Sequence, residues 1–380
     1  MGKKLRILHV FRSPVGGIFR HVKDLCEAHG AEGHQLGLIC DNNTGGPFEE
    51  DNLRKLVPSL DLGLHRMAMN RALGPSDLLN TFRLLKIIKR LQPDIIHTHG
   101  AKGGAYGRLA TSLVFPSSQR PKRLYCPHGG SIHYSNDRLS HRLYFLLERA
   151  MLGLTDQLIF VSGYERDGFV SKVGNPKVPA KLVANGVSDD EFSPVKPNAD
   201  ASDFLFIGMM RDLKGVDVLL DALELIGSRT KKDISVTLVG DGPDLDSYKA
   251  IAEQLPPSVS VKFKGPTPAR KAFALGKTLV IPSRAESMPY IILEALAAHV
   301  PVITTAAGGI PEIYGPYSNV LVEPGNATAL AAMMERQLQQ NLLLVAPEKM
   351  SERIKTFFSI DAMSHAMLDA YYDVVGVRGD

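Results

Sequence analysis

Ile281-Pro-Ser-Arg-Ala-Glu-Ser-Met-Pro-Tyr-Ile-Ile-Leu-Glu-Ala-Leu296 runs from the end of a hydrophobic strand into a helix, with two carboxylates, Glu286 and Glu294, eight positions apart. The spacing predicts a strand over Thr278 to Pro282 and places Glu286 in the turn that follows. Pro289 suits a first helical turn, because its missing amide is one that a helix start cannot use internally. A helix from Tyr290 onward opens the amides of Tyr290 and Ile291, and the positive end of its dipole, toward the strand end. That setting favours a phosphate. One acid in the turn and another a turn and a half into the helix form an arrangement for holding a nucleotide diphosphate and its attached group.

Downstream come the small-residue run Ala295 to Ala298, the strand Pro301-Val-Ile-Thr304 and the loop Gly308-Gly-Ile-Pro-Glu312. Taken together, these segments resemble the signature of retaining glycosyltransferases of family 4. The resemblance implies an α/β GT-B fold, two doubly wound Rossmann-like domains facing each other across a cleft. There are two departures from the family pattern. Ser287-Met288-Pro289 replaces the usual Gly-Phe-Gly, and His299 stands where a glycine usually ends the helix, a place for a left-handed residue.

Upstream, Arg211-Asp-Leu-Lys214-Gly215 follows a predicted strand over Asp203 to Gly208. Two cations three apart at a strand end make a fork for a pyrophosphate, or else a solvated basic turn. By resemblance, Arg211 and Lys214 stabilise the charge that grows on the departing diphosphate. The resemblance also gives Glu294 the ribose hydroxyls and places Glu286 near the transferred sugar carbon. As an alternative, both acids only complement the helix dipole.

The 380 residues fit two domains. A restart of the strand-helix pattern after a proline- and aspartate-rich stretch, Ser188 to Asp203, marks that stretch as an interdomain linker. The expected domains are 1–190, an acceptor-binding unit, and 200–358, a nucleotide-sugar-binding unit. A C-terminal helix in 359–380 crosses back to the first domain, as in similar enzymes. In the first half, strands are expected at Leu5–Phe11, Gln35–Cys40, Asp94–His99, Arg123–Pro127, Gln157–Ser162 and Lys181–Ala184. Ser76 to Leu91 reads as an amphipathic helix with Leu78, Leu79, Phe82, Leu85 and Ile88 on one side.

Composition is ordinary for a globular protein, 44% apolar and 22% charged. Cys26, Cys40 and Cys126 do not make a disulfide framework, which favours a reducing, cytoplasmic setting. The N-terminal apolar run is too short for a signal peptide, and no stretch approaches a membrane span. Charge is uneven. Residues 1–190 hold 26 Lys+Arg against 17 Asp+Glu, a net +9, while the rest holds 18 against 23, a net −5. Either the imbalance is incidental or the first lobe meets an anion, such as a lipid headgroup, a lipid-linked diphosphate or the nucleotide. The helix at Ser76 to Leu91, with Arg66, Arg71 and Arg120-Pro-Lys-Arg123, is either a solvated face or one that lies on an anionic membrane surface.

Three further features of the first half carry candidate chemistry. Gly16 and Gly17 follow the first strand, where absent side chains let a backbone approach a diphosphate. They do not form a dinucleotide fingerprint, which argues against a nicotinamide enzyme. His128, in Tyr125-Cys-Pro-His-Gly-Gly130, corresponds by resemblance to a histidine that reaches the reacting sugar; otherwise it is a satisfied buried histidine. His97 and His99 share one strand face. A metal site there is conceivable but lacks a carboxylate or cysteine at ligand spacing, so acceptor-side lining or sheet packing is expected. Gly240-Asp-Gly-Pro reads as a structural turn, with Asp244 capping the next helix.

The expected activity is transfer of a hexosyl group from a nucleotide diphosphate sugar to a hydroxyl on a glycan or lipid-linked acceptor. The resemblance implies retention of configuration, no cofactor, no metal and no nucleic-acid partner. It also suggests bacterial polysaccharide or lipid-linked glycan assembly, with the enzyme cytoplasmic or peripheral on the inner membrane. A GT-B sugar-nucleotide epimerase and a non-catalytic nucleotide-sugar-binding protein are the alternatives.

Overall fold

The computed structural model describes every residue except 1–2, 71–73, 75, 115–116, 131–138, 231, 341–344 and 377–380. Arg71, counted above in the basic cluster, lies outside the described residues. The chain divides into two compact units. One comprises residues 1–185 with 360–380, the other 186–359.

The first unit is built on β1 (Arg6–Phe11), α1 (Gly16–Ala31), β2 (Gln35–Asp41), α2 (Pro47–Leu56), β3 (Gly63–Met67), α3 (Ser76–Leu91), β4 (Ile95–His99) and α4 (Gly100–Ser112). It continues through β5 (Lys122–Cys126), α5 (Leu139–Met151), β6 (Gln157–Phe160), α6 (Gly163–Val173) and β7 (Ala180–Leu182). All seven strands are parallel, in the order β3-β2-β1-β4-β5-β6-β7. Helices on both faces bury the central strands along nearly their whole length, which is why β1, β2 and β6 read as mostly apolar runs rather than alternating ones; β4, equally buried, carries His97, Thr98 and His99. The chain winds one way from β1 and the other way from β4. The gap between these two adjacent strands is therefore the topological switch point, where open α/β sheets place ligands.

The second unit repeats the plan with β8 (Ser202–Ile207), α7 (Val216–Gly227), β9 (Ile234–Val239), α8 (Leu245–Ala252), β10 (Val259–Lys264) and α9 (Ala269–Phe273). There follow β11 (Gly276–Ile281), α10 (Tyr290–Ala297), β12 (Val302–Thr304), α11 (Ile310–Tyr314), α12 (Ala327–Gln340) and α13 (Pro347–Phe357). Its five parallel strands run β10-β9-β8-β11-β12, with the switch point between β8 and β11. The last helix, α14 (Ile360–Val375), groups with the first unit and packs on α1, with Met367, Ala370 and Tyr371 fully buried.

Several sequence expectations need correction. The stretch read as a linker holds an ordered 3-10 turn, Asp189–Phe192, closed by a Ser188–Glu191 capping box and held by Arg270, which donates to the Glu191 and Ser193 carbonyls. Asp244 stands at the N-cap position of α8 but does not cap it; its carboxylate accepts from the Asp212 amide instead, at 2.9 Å. Pro289 is the N-cap of α10, in extended conformation, rather than its first helical residue. β3 and α2 were not anticipated; β3 is half-buried from Gly63 to Arg66 and buried only at Met67, so it shows no alternation. The apolar stripe expected on α3 is not all core. Leu84 and Ile88 are buried, but Leu78, Leu79 and Phe82 face solvent with 64%, 63% and 48% of their surface exposed.

Candidate active site

In the second unit, the loops after β8 and β11 meet at the switch point. Arg211 leaves β8 in extended conformation and starts a one-turn 3-10 helix, Asp212–Lys214. Gly215 then turns left-handed (φ 66°), and a Cβ there would lie 2.1 Å from the Pro282 carbonyl oxygen. Only glycine lets the β8 loop lie so close to the end of β11. Arg284 ties the same loops together, donating to the Asp212 carbonyl at 2.8 Å and forming a two-pronged ion pair with Asp217. That fork holds the Asp217 carboxyl below its ordinary range in spite of burial, which pushes the other way.

The consequence is a direct meeting of predicted residues 72 positions apart. Lys214 Nζ donates to Glu286 Oε1 at 2.5 Å, and the buried Ser283 hydroxyl donates to the same oxygen at 2.8 Å. Glu286 is 8% exposed, whereas the Lys214 side chain keeps 28% of its surface, enough to meet a second anion. Thr305 Oγ1 steadies the turn by donating to the Ser283 carbonyl at 2.6 Å. From the other side, Gly308 (φ 61°) presses against the Glu286 backbone. Arg211, half-buried, accepts from the Lys214 amide through its carbonyl at 2.9 Å, while its guanidinium forms no hydrogen bond or ion pair with another described residue.

The N-cap residue of α10, Pro289, supplies no side-chain cap to the helix start at Tyr290 and Ile291. Glu294, on the second turn, is 8% exposed. His299 has φ 59°, the left-handed conformation that the missing glycine would have supplied.

In the first unit, Gly16 (φ 72°) and Gly17 open α1, which also lacks a side-chain cap. His128 ends the loop after β5 in a left-handed conformation (φ 51°), unusual for a side chain this bulky. Glu165 holds the loop from beneath, accepting from the Gly129 and Val161 amides. Burial raises the Glu165 carboxyl to about 7, against the lowering effect of those two amides.

Behind His128 lies a layer of imidazoles that sequence reading largely missed. Register pairs His9 on β1 with His97 on β4, so both rings and that of His99 stand on the same sheet face, beneath α1 and α14. His9 Nδ1 is 3.0 Å from His99 Nε2, and His99 Nδ1 is 2.9 Å from His128 Nε2. His97 Nδ1 meets the Tyr371 hydroxyl at 2.8 Å, His21 Nδ1 meets Asn185 Oδ1 at 3.1 Å, and His29 Nε2 donates to the Ser364 carbonyl. Burial pulls the pKa values of His9, His97, His99 and His128 well below the ordinary value, reinforced by neighbouring imidazoles; His21 falls to about 4 and His29 to about 3, each mainly through burial. The rings are therefore neutral at pH 7. His97 and His99 have essentially no exposed surface, so sheet packing, not acceptor lining, describes them.

Two trios, His9–His97–His99 and His21–His99–His128, bring ligand atoms within 4.8 Å of one another. Neither contains a carboxylate or thiolate, and a dication here would be buried with no compensating charge. Both nitrogens of His99 are moreover already committed to other rings. Strand adjacency alone reveals this cluster; in the sequence, only the His97-Thr-His99 repeat hints at it.

Comparison with known proteins follows the two units. Residues 15–191 match the family described as Glycosyltransferase Family 4, and residues 187–357 match Glycosyl transferases group 1. A UDP-Gal:alpha-D-GlcNAc-diphosphoundecaprenol alpha-1,3-galactosyltransferase of Escherichia coli is 21% identical, covering 98% of each chain. An N-acetyl-alpha-D-glucosaminyl L-malate synthase of Bacillus anthracis is 24% identical, again over 98% of each. Among solved structures, Anabaena HepE in complex with UDP-glucose superposes with a TM-score of 0.77 at 17% identity, covering 97% of this chain and 100% of that one. A glycosyltransferase from Rickettsia africae gives 0.75 at 22% identity, over 98% and 99%.

Proposed function

The chain is a family 4 glycosyltransferase with the GT-B fold, and on that premise we propose that it transfers a sugar, with retention, from a nucleotide diphosphate sugar to a hydroxyl of a glycan or lipid-linked acceptor. The observation that carries this reading is the Lys214–Glu286–Ser283 contact at the β8–β11 switch point, with Arg211 at the start of the same β8 loop. A carboxylate set against a lysine, with an arginine on the same loop, is suited to a donor that is anionic on its diphosphate side and rich in hydroxyls on its sugar side. Arg211, Lys214 and the first-turn amides of α10 take the diphosphate. Glu294 takes the ribose, Glu286 the transferred sugar, and His128 in the first unit a donor hydroxyl or the attacking acceptor. Gly16 and Gly17 leave room for the diphosphate at the start of α1. The acceptor oxygen bonds to the anomeric carbon as the carbon–phosphate oxygen bond breaks on the same face, and the acceptor proton passes to a leaving phosphate oxygen. Because the fixed cations meet that charge, the reaction requires no divalent ion.

The relatives, a diphosphoundecaprenol-dependent galactosyltransferase among them, support a polyprenyl-linked or polysaccharide acceptor. The first unit supports the membrane side of this reading. On α3, the solvent face carries Leu78, Leu79 and Phe82, then Arg83, Lys86, Lys89 and Arg90, while its acid Asp77 is paired to Lys102 and Tyr106. On α5, Leu139, Leu143 and Leu146 are 81%, 53% and 61% exposed beside Arg142 and Arg149, while its acid Glu148 is buried on Arg108 of α4. Apolar side chains ringed by cations without free acids fit an anionic lipid surface at the cytoplasmic membrane face. No helix among the described residues is long and apolar enough to cross a membrane.

The test is a screen of nucleotide sugars by thermal shift, followed by transfer assays on Glu286→Gln. A stabilising donor, a product of unchanged anomeric configuration and activity in a metal chelator are expected, with transfer abolished in the variant and its fold intact. Unchanged transfer in Glu286→Gln would refute the assignment. Nucleotide release that does not depend on acceptor would favour an epimerase.

A further inference from the structure

The imidazole chain behind His128 has a direction. His9, His99 and His128 are linked Nδ1 to Nε2 twice over, at 3.0 and 2.9 Å, and His9 Nε2 at the inner end has no partner. Each neutral imidazole carries one N–H and one lone pair, so the three rings must orient together. If the N–H groups point outward, His9 donates to His99, His99 donates to His128, and the unpartnered His9 Nε2 is only a lone pair. If they point inward, His9 Nε2 carries an N–H with no acceptor in a fully buried position. Orphaned buried N–H groups are rarer in native proteins than under-satisfied acceptors, so the outward orientation is favoured.

We propose that His9 and His99 are positioning residues that set the tautomer of His128, so that His128 presents its Nδ1–H to the substrate as a hydrogen-bond donor. His128 Nε2 is occupied by His99, which leaves Nδ1 as the nitrogen open to a ligand. The left-handed backbone of His128, held through Gly129 by Glu165, fixes the direction of that N–H. A neutral ring fixed as a donor at Nδ1 polarises an oxygen, such as a sugar hydroxyl or a leaving phosphate oxygen, and does not remove the acceptor proton. The catalytic consequence rests on the reading of His128 as a substrate-facing group; the tautomer itself does not.

The decisive measurement is the two-bond proton–nitrogen spectrum of the full chain labelled with nitrogen-15 histidine, at pH 7, with His128 assigned from His128→Gln. Wild type is expected to show His128 protonated at Nδ1 and not at Nε2. In His99→Phe, which cuts the chain, His128 becomes a mixture of tautomers and kcat falls on the order of 10-fold or more, with donor KM little changed. His99→Gln can accept from His9 and donate to His128, so it restores both. The wild-type rate shows no ascending limb between pH 6 and 8 of the kind a histidine base would give. An Nε2–H tautomer in wild type overturns the proposal even if His99→Phe fails to fold. So does an unmixed Nδ1–H tautomer in folded His99→Phe. Full transfer by His128→Gln, with the wild-type tautomer as expected, instead removes the functional role given to His128 and leaves the chain's direction standing.

Discussion

Replacing Gly308 by alanine tests whether the loop after β12 holds Glu286 in place. Gly308 has φ 61°, and a Cβ built there would sit 1.6 Å from the Glu286 carbonyl oxygen and 2.6 Å from its carbon. Real Cβ contacts stay beyond 3.0 Å, so the two backbones must separate by about 1.4 Å, the difference between 3.0 and 1.6 Å. The neighbour is main chain, with no flexible end that can swing aside. A misplacement of about 1 Å at a reacting group can lower the rate roughly 100-fold, so transfer is expected to fall by at least that factor. The left-handed backbone alone adds about 1–2 kcal/mol of destabilisation for a residue with a Cβ. Gly325→Ala separates the two effects, because Gly325 also has a positive φ (77°) but nothing within 4 Å of its Cβ position. It should lose stability and keep its transfer rate. Urea unfolding and initial-rate assays on both variants decide the matter. Wild-type turnover in Gly308→Ala would show that Glu286 does not depend on this contact.

Ser283→Ala removes one of the two donors to Glu286 Oε1; a loss of about 1 kcal/mol of transition-state stabilisation, roughly 5-fold in kcat/KM, is expected, and an unchanged value would make the hydroxyl structural only. Acid should loosen the protein, because below pH 6.5 the unfolded chain takes up protons that His21 and His29, lowered to about 4 and about 3, refuse in the fold. Stability is therefore present above about pH 6.5 and lost as pH falls toward 4, by about 2 kcal/mol per ring at pH 5 relative to pH 7. Equal urea midpoints at pH 7 and 5 would contradict this, and His29→Gln should shrink the difference. Leu79→Ser with Leu143→Ser should weaken sedimentation with anionic vesicles while leaving transfer to a short soluble acceptor unchanged; equal sedimentation with zwitterionic vesicles would remove the electrostatic part of the argument.

Local pattern was enough for most of the sheet strands and for the turn at Glu286 between β11 and α10. Strands buried on both faces are continuous apolar runs bounded by glycine and proline, and each can be read without knowing its neighbours. The unexpected β3 was obscured because it lies at a sheet edge, half-buried from Gly63 to Arg66 and buried only at Met67, so that neither an apolar run nor alternation develops. The apolar positions of α3 misled for a related reason. Periodicity shows that a helix has an apolar stripe, but not whether the sheet or the solvent receives it, and here the first turns face outward.

The amino-acid sequence by itself determined the alternation of strands and helices and the division into two parts, and it singled out Arg211, Lys214, Glu286, Glu294 and His128 as candidates for the site. Each of these rests on neighbours within a few positions along the chain. Tertiary structure decided the ion pair between Lys214 and Glu286, the clasp of Gly308 on Glu286 and the buried line from His9 through His99 to His128. Those contacts join different segments of the chain and meet only because β8 and β12 flank β11 and because β1 and β5 flank β4. Strand order is set by how crossover helices pack on a whole sheet, a property that no short stretch of residues encodes.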